Sequence, residues 1–450
     1  MIQRLNLNTK VLRVGKTLLG LGAQVARFPQ EKGRKRDAAV QRTGEWLASE
    51  LVNLGPTYIK VGQFISTRND MYGDVFSKCF TSLHSDIEPL RGAAARKLID
   101  SDSGIDTTLF SYIDYDNAVA ASMAQVHRAR MADTGMRVMI KVLRSGIREE
   151  IASDMVFLGG ILAILEAAMK PSDPIVRQLK TTITDMGIYL DEEMDVYGEI
   201  HNLCEFGKLY PVDHPGVRVP RVLQYASSPR AIVMEEVPSM SMESLGANYR
   251  TPKALASRIM STFILQMLDV GILHGDPHRG NLGLHADGRL VIYDFGSVVR
   301  IAPSDVHFIK QMIMSVAMGD MKGAVRTLEH MGAEVTDVDQ LCGYISDYRS
   351  YVRTLDMPAL INATSTRTKM AMKDSATPPE LPIVLPPRIS RILRTFSLLE
   401  GVCKSIDPEF SYYDAVTVVA SSHEFFDAGF VDYKRRRDMD TVIDWIIGRM

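Results

Sequence analysis

His274-Gly275-Asp276-Pro277-His278-Arg279-Gly280-Asn281 precedes Val291-Ile292-Tyr293-Asp294-Phe295-Gly296 in this chain. The two runs place an aspartate, an asparagine five residues later, and a second aspartate directly after a short apolar segment. Carboxylate and amide oxygens are the ligands that Mg²⁺ prefers in proteins. We therefore expect Asn281 and Asp294 to hold a divalent cation, and Asp276 to orient or deprotonate an attacking hydroxyl group or water.

The same run also contains a His-x-x-x-His pair, His274 and His278, which on a helix would suit zinc. Gly275 and Pro277 lie between the two histidines and disfavour a helix there. A helical zinc site is therefore the weaker interpretation of this segment.

Phosphoryl transfer from a nucleotide needs, besides the cation, a strand lysine that reaches the phosphates and a helical glutamate that orients it. Val138-Met139-Ile140-Lys141 is a short apolar run that supplies the lysine. Glu193, Asp195 and Glu199 follow in a helical stretch and are candidates for its partner, although an acidic run is also typical of a solvated helix face. A glycine-rich loop does not precede Lys141, and the alanine-rich run Ala118-Val119-Ala120-Ala121-Ser122 occupies that position.

The chain divides into four predicted regions: 1–45, a basic amphipathic segment; 46–112, helical; 113–236, strands with a helical insert; and 237–450, helical with the two polar loops. Asp133-Thr134-Gly135 predicts the turn of a β-hairpin that leads into Lys141. Met234-Glu235-Glu236-Val237 ends the third region, and its backbone would bond the edge of an adenine. Five prolines from Pro378 to Pro387 predict a stiff connector, after which Ile389 to Leu399 has the spacing of an amphipathic helix.

Charge is uneven at the start of the chain, where residues 1–45 hold ten basic side chains and three acidic ones. Three interpretations stay open for this segment: a first helix packed on the domain, a helix lying in an anionic membrane interface, or a mitochondrial transit peptide. The whole chain carries a net charge of −2, which argues against a nucleic-acid-binding protein. Its four cysteines are far apart, which argues against a zinc or redox motif.

The longest apolar run, Met155 to Met169, contains Glu166 and two glycines and is too short to span a membrane. A buried helix is the better interpretation of that run. Membrane association is expected to be peripheral.

Several motifs in order resemble those of the UbiB/ADCK (AarF-domain) atypical kinases. Gly55-Pro56-Thr57-Tyr58-Ile59-Lys60-Val61-Gly62-Gln63 resembles the KxGQ signature of that family. Ala118 to Ser122 resembles its alanine-rich nucleotide loop, and Glu193-Met194-Asp195 resembles its ExD motif. The catalytic-type loop from His274 and the Asp294-Phe295-Gly296 loop complete a set that covers roughly residues 45–300.

The resemblance implies an α+β, protein-kinase-like fold of two lobes with a helical KxGQ extension at its N-terminus. It also implies that Glu199 orients Lys141, and that an occluding gate is formed by Lys60, Gln63, Glu193 and Asp195. ATP and Mg²⁺ are the implied cofactors. Bound nucleotide would contact Ala118 to Ser122, Lys141, Glu199 and the segment Met234, Glu235 and Val237.

The activity that follows from the resemblance is a kinase-like ATPase supporting or regulating isoprenoid-quinone or related lipid metabolism. Two rivals stay open: a phosphotransferase acting on a small-molecule, lipid or protein hydroxyl, and a nucleotide-gated scaffold of a biosynthetic complex. The expected partners are ATP or ADP, a membrane lipid or quinone precursor, and a biosynthetic protein complex, but no nucleic acid. A mitochondrial, peripheral membrane location is the leading expectation.

The chain departs from the family pattern at three positions near these motifs. Arg279 stands where a proline is usual, and Asn117 stands where a proline commonly opens the alanine loop. Met139 replaces a small residue that normally lies against adenine, which puts the choice of base in question.

Overall fold

The computed structural model of the protein describes residues 12–17, 20, 24, 34–66, 74–80, 83, 89–120, 123–168, 174–245, 251–343, 382–412, 415 and 419. Ala121, Ser122 and most of the basic segment 1–45 lie outside these residues, as do residues 378–381 of the proline-rich connector. The chain forms two compact units. Unit 1 comprises 1–214, 219–237 and 294–296, and unit 2 comprises 215–218, 238–293 and 297–450. The four predicted region boundaries stay predictions.

The helices of the described residues, in chain order, are α1 (Arg34–Leu54), α2 (Pro56–Ser66), α3 (Asp74–Lys78), α4 (Gly92–Lys97), α5 (Ile147–Ala168), α6 (Pro174–Met194), α7 (Val196–Leu209), α8 (Met242–Leu245), α9 (Pro252–Leu265), α10 (Pro303–Met318), α11 (Met321–His330) and α12 (Pro387–Ile406). The strands are β1 (Phe110–Ile113), β2 (Val119–Ala120), β3 (Ala124–Met131), β4 (Arg137–Leu143), β5 (Val217–Arg218), β6 (Ala231–Glu235), β7 (Met240–Ser241), β8 (Ile272–His274), β9 (Leu282–Leu284), β10 (Leu290–Ile292), β11 (Val298–Arg300), β12 (Glu334–Val335) and β13 (Ile383–Val384).

Unit 1 is built on an antiparallel sheet of order β1-β3-β4-β6, with β2 paired to β3. Strand β4 shows why the sequence folds this way: Val138, Ile140 and Val142 point into the core and are fully buried. Because successive side chains of a strand face opposite sides, Met139 and Lys141 lie on the other face, where both are half-buried. The predicted hairpin between β3 and β4 is confirmed, with the backbone N–H of Met131 donating to Met136.

Helices cover the Lys141 face of this sheet in unit 1. Side chains from α5, α6 and α7 form one apolar cluster with residues of β4 and β6, including Ile147, Leu190, Val196 and Ile232. A second cluster joins α1 and α2 around Phe80, and it includes Leu51, Leu54 and Tyr58. The KxGQ segment therefore lies on a packed helix of unit 1.

Unit 2 combines short strands with helices. Its largest sheet has the order β5-β10-β9-β7, and β8 pairs with β11. The amphipathic helix expected after the prolines is confirmed as α12, whose Ile389, Ile392, Phe396 and Leu399 are buried.

Three sequence interpretations need correction. Helix α5 is only partly buried, because Ile147 and Ile151 are buried but Val156, within the apolar run, is 78% exposed. Part of the expected connector forms β13, which pairs with β12. The short apolar segment before Asp294 forms β10, but the region 237–450, expected to be helical apart from its two polar loops, also contains the strands β8, β9 and β11. Among the described residues, no helix is both long enough and apolar enough to cross a membrane.

Candidate active site

Lys141 is the centre of the site in unit 1. Its Nζ lies 2.7 and 2.8 Å from the two carboxylate oxygens of Glu199, and 3.1 Å from Oδ2 of Asp294. β4 positions the lysine, and α7 positions the glutamate. The structure therefore brings together three of the residues that the sequence singles out, and of the three acidic candidates it is Glu199 that bonds to Lys141.

Burial and charge act in opposite directions on this trio. Burial lowers the pKa of Lys141, but the carboxylates of Asp294 and Glu199 outweigh it and raise that pKa above its usual range. Burial raises the pKa of Glu199 to about 7, although Lys141 opposes this rise. Lys141 is therefore a permanent cation, whereas the charge of Glu199 changes near neutral pH.

Helix α7 holds the Asp-Phe-Gly segment as well as the lysine partner. Asn202 Nδ2 donates a hydrogen bond of 2.8 Å to the carbonyl of Phe295, and the ring of Phe206 lies 4.8 Å from that of Phe295. Glu199, Asn202 and Phe206 share one helix face because residues three, four and seven apart are neighbours. Asn202 and Phe206 were missed at the sequence level, although their spacing from Glu199 was a usable signal.

Asp294 has an unusual backbone. Its φ of 55° lies in the left-handed region, where a residue other than glycine is strained. Its Oδ1 accepts a hydrogen bond of 3.2 Å from the backbone N–H of Gly296, and its side chain is 44% exposed. Strain of this kind is found at functional sites more often than elsewhere.

In unit 2, the loop after β8 orients Asn281. The amide nitrogen of Asn281 donates to the backbone carbonyl of Asp276 at 3.0 Å, which leaves the amide oxygen as the acceptor. Asn281 is buried and Asp276 is half-buried. The carbonyl of Asn281 also accepts from the N–H of Tyr293, the residue before Asp294. Asn281 thus presents an oxygen of the type that binds Mg²⁺.

His274 has a structural role in this loop. It is the last residue of β8, it is fully buried, and its Nε2 lies 3.0 Å from the carbonyl of Tyr293. The segment that follows is not helical, so His274 and His278 do not form the i, i+4 pair of a helical zinc site. Among the residues that the structure describes, no cluster of three or more metal-binding side chains is present.

The alanine-rich run is described only in part. Val119 and Ala120 form β2 and pair with Val126 and Gln125 of β3. Val119 is exposed, while Ala118 and Ala120 are half-buried. Ala121 and Ser122 are outside the described residues.

The predicted hinge is held by arginines. Glu235 Oε2 accepts from Arg221 Nε at 3.1 Å, and the carboxylate of Glu236 contacts Arg128 and Arg137. Met234 pairs with Met139 across the sheet, and Val237, also named as nucleotide-binding, is buried. The departure at Met139 therefore lies beside the predicted hinge.

The four predicted gate residues do not converge on one point. Lys60 is buried and its Nζ lies 2.9 Å from Glu193 and 5.5 Å from the centre of the Tyr189 ring. Gln63 Nε2 instead donates to the carbonyl of Leu83 at 2.7 Å. Asp195 is exposed and is the N-terminal cap of α7, because its Oδ1 accepts from the N–H of Gly198 at 2.9 Å. The gate stays a prediction, for which the structure brings together only Lys60 and Glu193.

These groups suit one kind of chemistry. A half-buried lysine with a helical glutamate, a carboxylate after a strand and an oriented asparagine are the parts that kinase-like phosphoryl transfer requires. The sequence profile of the ABC1 atypical kinase-like domain matches residues 82–328, more than half of the chain. The chain belongs to the ABC1 atypical kinase-like family.

Relatives of the ABC1 family come from plants and bacteria. The chain is 28% identical over 87% of its length to the Arabidopsis thaliana chloroplast protein Activity of BC1 Complex Kinase 7, of which it spans about half (55%). It is also 28% identical over 84% of its length to an uncharacterised protein of Clostridium pasteurianum, encoded in the 5′ region of hydrogenase 1, and covers 70% of that protein.

A solved structure shares the fold of this ABC1 chain. It is a Mycobacterium tuberculosis protein determined as a complex with erythromycin, with a TM-score of 0.55 and 20% identity. The match covers 71% of this chain and 80% of the other. The predicted α+β, protein-kinase-like fold is confirmed.

Proposed function

We propose that this ABC1 protein binds ATP together with Mg²⁺ and hydrolyses it. The observation that carries the proposal is the placement of Lys141 between Glu199 and Asp294. Burying the carboxylate of Glu199 against a half-buried lysine is costly and is weak evidence for a purely stabilising role. A site that must receive phosphates does need a preorganised cation there.

The residues have distinct roles in the proposed reaction. Lys141 would contact the α- and β-phosphates, with Glu199 fixing its position. Asn281 and Asp294 would hold Mg²⁺, which supplies the positive charge that offsets the phosphate oxygens. Asp276 would orient the attacking water and accept its proton. The backbone of Ala118 to Ser122 would cover the phosphates.

The chain after the Asp-Phe-Gly segment favours hydrolysis or a small acceptor over a protein substrate. Only six residues separate Gly296 from the start of α10, and three of them form β11, which pairs with β8. Because this segment is short and half of it is already paired with β8, it offers few backbone groups to which an extended peptide could bind.

The first experiment is thermal unfolding of the full chain with ATP, with and without Mg²⁺. With ATP at a hundred times its dissociation constant, the free energy of unfolding of wild type should rise by about 2.7 kcal/mol. This rise should require Mg²⁺. Asp294→Asn should lose the shift, whereas Asp133→Asn, a turn residue outside the site, should keep it. Absence of any shift in wild type would refute nucleotide binding, and an equal shift in Asp294→Asn would refute the metal assignment.

The products separate hydrolysis from transfer. With ATP labelled on its γ-phosphate, hydrolysis releases the label as free phosphate. Label on an added lipid, small molecule or protein would favour the phosphotransferase, and ATP binding without turnover would favour a scaffold.

The pathway and the location are part of the proposal. Isoprenoid-quinone or related lipid metabolism is supported by the motif resemblance and by relatives named for bc1 complex activity. The Arabidopsis relatives are chloroplast proteins, which favours an organelle; a mitochondrial location stays a prediction. Peripheral contact with a membrane lipid or quinone precursor, and with a biosynthetic complex, belongs to the same proposal.

A further inference from the structure

Unit 1 contains a cavity of about 490 Å³ that none of the proposed catalytic residues lines. It lies where the end of β4, the starts of α5 and α7, and the turn before β6 come together. Its lining residues are Leu143, Ile147, Arg148, Glu149, Asp195, Val196, Tyr197, Pro229 and Arg230. The volume is in the range of small-molecule sites.

The floor of the cavity is apolar and fixed. Leu143, Ile147 and Val196 are buried and belong to the same apolar cluster as Met194 and Ile200. This floor suits a short hydrocarbon or aromatic group.

The rim carries two guanidinium groups that are held in place by backbone. Arg148 Nη2 donates to the carbonyl of Met194 at 2.5 Å, and Arg230 Nη2 donates to the carbonyl of Arg144 at 3.3 Å. Among the described residues, neither arginine has a carboxylate within the 4 Å of an ion pair. Two anchored arginines without acidic partners on one cavity indicate a site for an anion, and their planar donors match phosphate well.

Helix dipoles and the remaining acids set the size of that anion. Both α5 and α7 begin at the cavity, so each adds partial positive charge. Glu149 and Asp195 line it too, and Asp195 is engaged with the N–H of Gly198. These carboxylates disfavour a polyphosphate, whereas a phosphomonoester, with a charge near −2 at neutral pH, matches the two arginines.

We propose that this cavity is a second ligand site, which binds a phosphomonoester carrying a short apolar group. The phosphate is bound by Arg148 and Arg230, and the apolar group lies on Leu143, Ile147 and Val196. Because the first turn of α7 both lines the cavity and carries Glu199, an occupant stabilises the part of the helix that orients Lys141.

The test is calorimetric titration of the full chain with phenyl phosphate, beside inorganic phosphate and benzyl alcohol. Wild type should bind phenyl phosphate more tightly than either control compound, because only phenyl phosphate has both chemical parts. Arg148→Gln/Arg230→Gln should weaken binding at least tenfold. Arg91→Gln/Arg130→Gln removes the same charge from exposed positions of unit 1 outside the cavity, and should bind as wild type does.

A Lys141→Met variant separates this site from the nucleotide site. It should bind phenyl phosphate normally even if nucleotide binding is lost or never existed. Binding that disappears in Lys141→Met but survives in Arg148→Gln/Arg230→Gln would place the ligand at the nucleotide site and overturn the proposal, as would equal binding of inorganic phosphate or benzyl alcohol.

Hydrogen exchange of the wild-type protein locates the bound ligand without any variant, so the result does not depend on whether the variants fold. Saturating phenyl phosphate should slow exchange in residues 143–149 and 195–209. Protection confined to other segments, or no binding at millimolar phenyl phosphate, would overturn the assignment.

Discussion

At Lys141 one ammonium group faces two carboxylates, and this determines what its removal should do. Lys141→Met leaves Glu199 buried without its cation, so we expect a loss of about 3 kcal/mol in the free energy of unfolding at pH 8. Lys141→Met/Glu199→Gln should recover most of it, because the second change removes the uncompensated charge. Denaturant unfolding of the two single variants and the double variant measures the coupling; a strictly additive double variant would contradict the pairing.

The pKa of Glu199 gives a pH dependence with a definite sign. Its folded value of about 7 lies above the ordinary value near 4.3, so the folded state holds the extra proton between these limits. The contribution of Glu199 to stability therefore falls as pH rises through this window and is constant above it. From pH 5 to pH 8, wild type should lose about 2–3 kcal/mol relative to Glu199→Gln in denaturant unfolding. Parallel pH profiles would contradict the raised pKa.

Among the elements, α2 shows why its signature contains a glycine. A Cβ on Gly62 would lie 2.2 Å from Cδ1 of Leu83, and about 3 Å from Leu51 and Phe80. Gly62→Ala should thus lower stability by about 1–2 kcal/mol through overpacking, despite the higher helix propensity of alanine. Gly159→Ala on α5, where a Cβ meets nothing within 4 Å, should be neutral or stabilising. Thermal unfolding of both variants checks the contrast, and a stabilised Gly62→Ala would refute this packing.

The start of α7 depends on its cap. Asp195→Ala should lower stability by about 1 kcal/mol, and Asp195→Asn should be tolerated, because both Asp and Asn accept the N–H of the third helical residue. Asp320 caps α11 in the same way, accepting from the N–H of Gly323 at 2.8 Å. Asp320→Ala and Asp320→Asn should therefore change the stability as the corresponding Asp195 variants do. If the predicted gate needs the negative charge of Asp195, Asp195→Asn should instead change the rate of ATP hydrolysis while its stability stays at the wild-type value. An ATPase assay of the two proteins distinguishes these outcomes.

The same elements show how far the sequence could lead. The β3–β4 hairpin was predictable because alternation and a glycine turn mark it locally, and Lys141 with Glu199 was accessible through motif resemblance. Strands β8, β9, β10 and β11 have three residues each, too few for alternation to register, and only β10 was marked, by its continuous apolar run before Asp294. The roles of Asp195 and Gln63 depend on where α7 starts and where Leu83 lies. The contact of Gln63 with Leu83 is a tertiary fact with no local signal, whereas the cap at Asp195 is a local contact that an aspartate directly before a helical stretch does indicate.

For the molecule as a whole, the helical extension is part of unit 1. Lys60 on α2 pairs with Glu193 on α6, which is followed at once by Asp195 and α7. The α1–α2 cluster also takes in Phe157 and Leu158 of α5 at its edge. The extension and the sheet that carries Lys141 are therefore joined by charge and by packing, and we expect them to unfold together.

That expectation is testable through Lys60. The Lys60 side chain is 10% exposed and that of Glu193 29%, so this half-buried pair should have a coupling energy of about 1–2 kcal/mol in a double-mutant cycle of Lys60→Met and Glu193→Gln. If unit 1 unfolds cooperatively, Lys60→Met also speeds hydrogen exchange at β3 and β4, elements that Lys60 does not belong to. Exchange that increases only in α1 and α2 would show that the extension unfolds independently. In that case the Lys60–Glu193 pair would stabilise only the local contact between α2 and α6, and would not stabilise the sheet that carries Lys141.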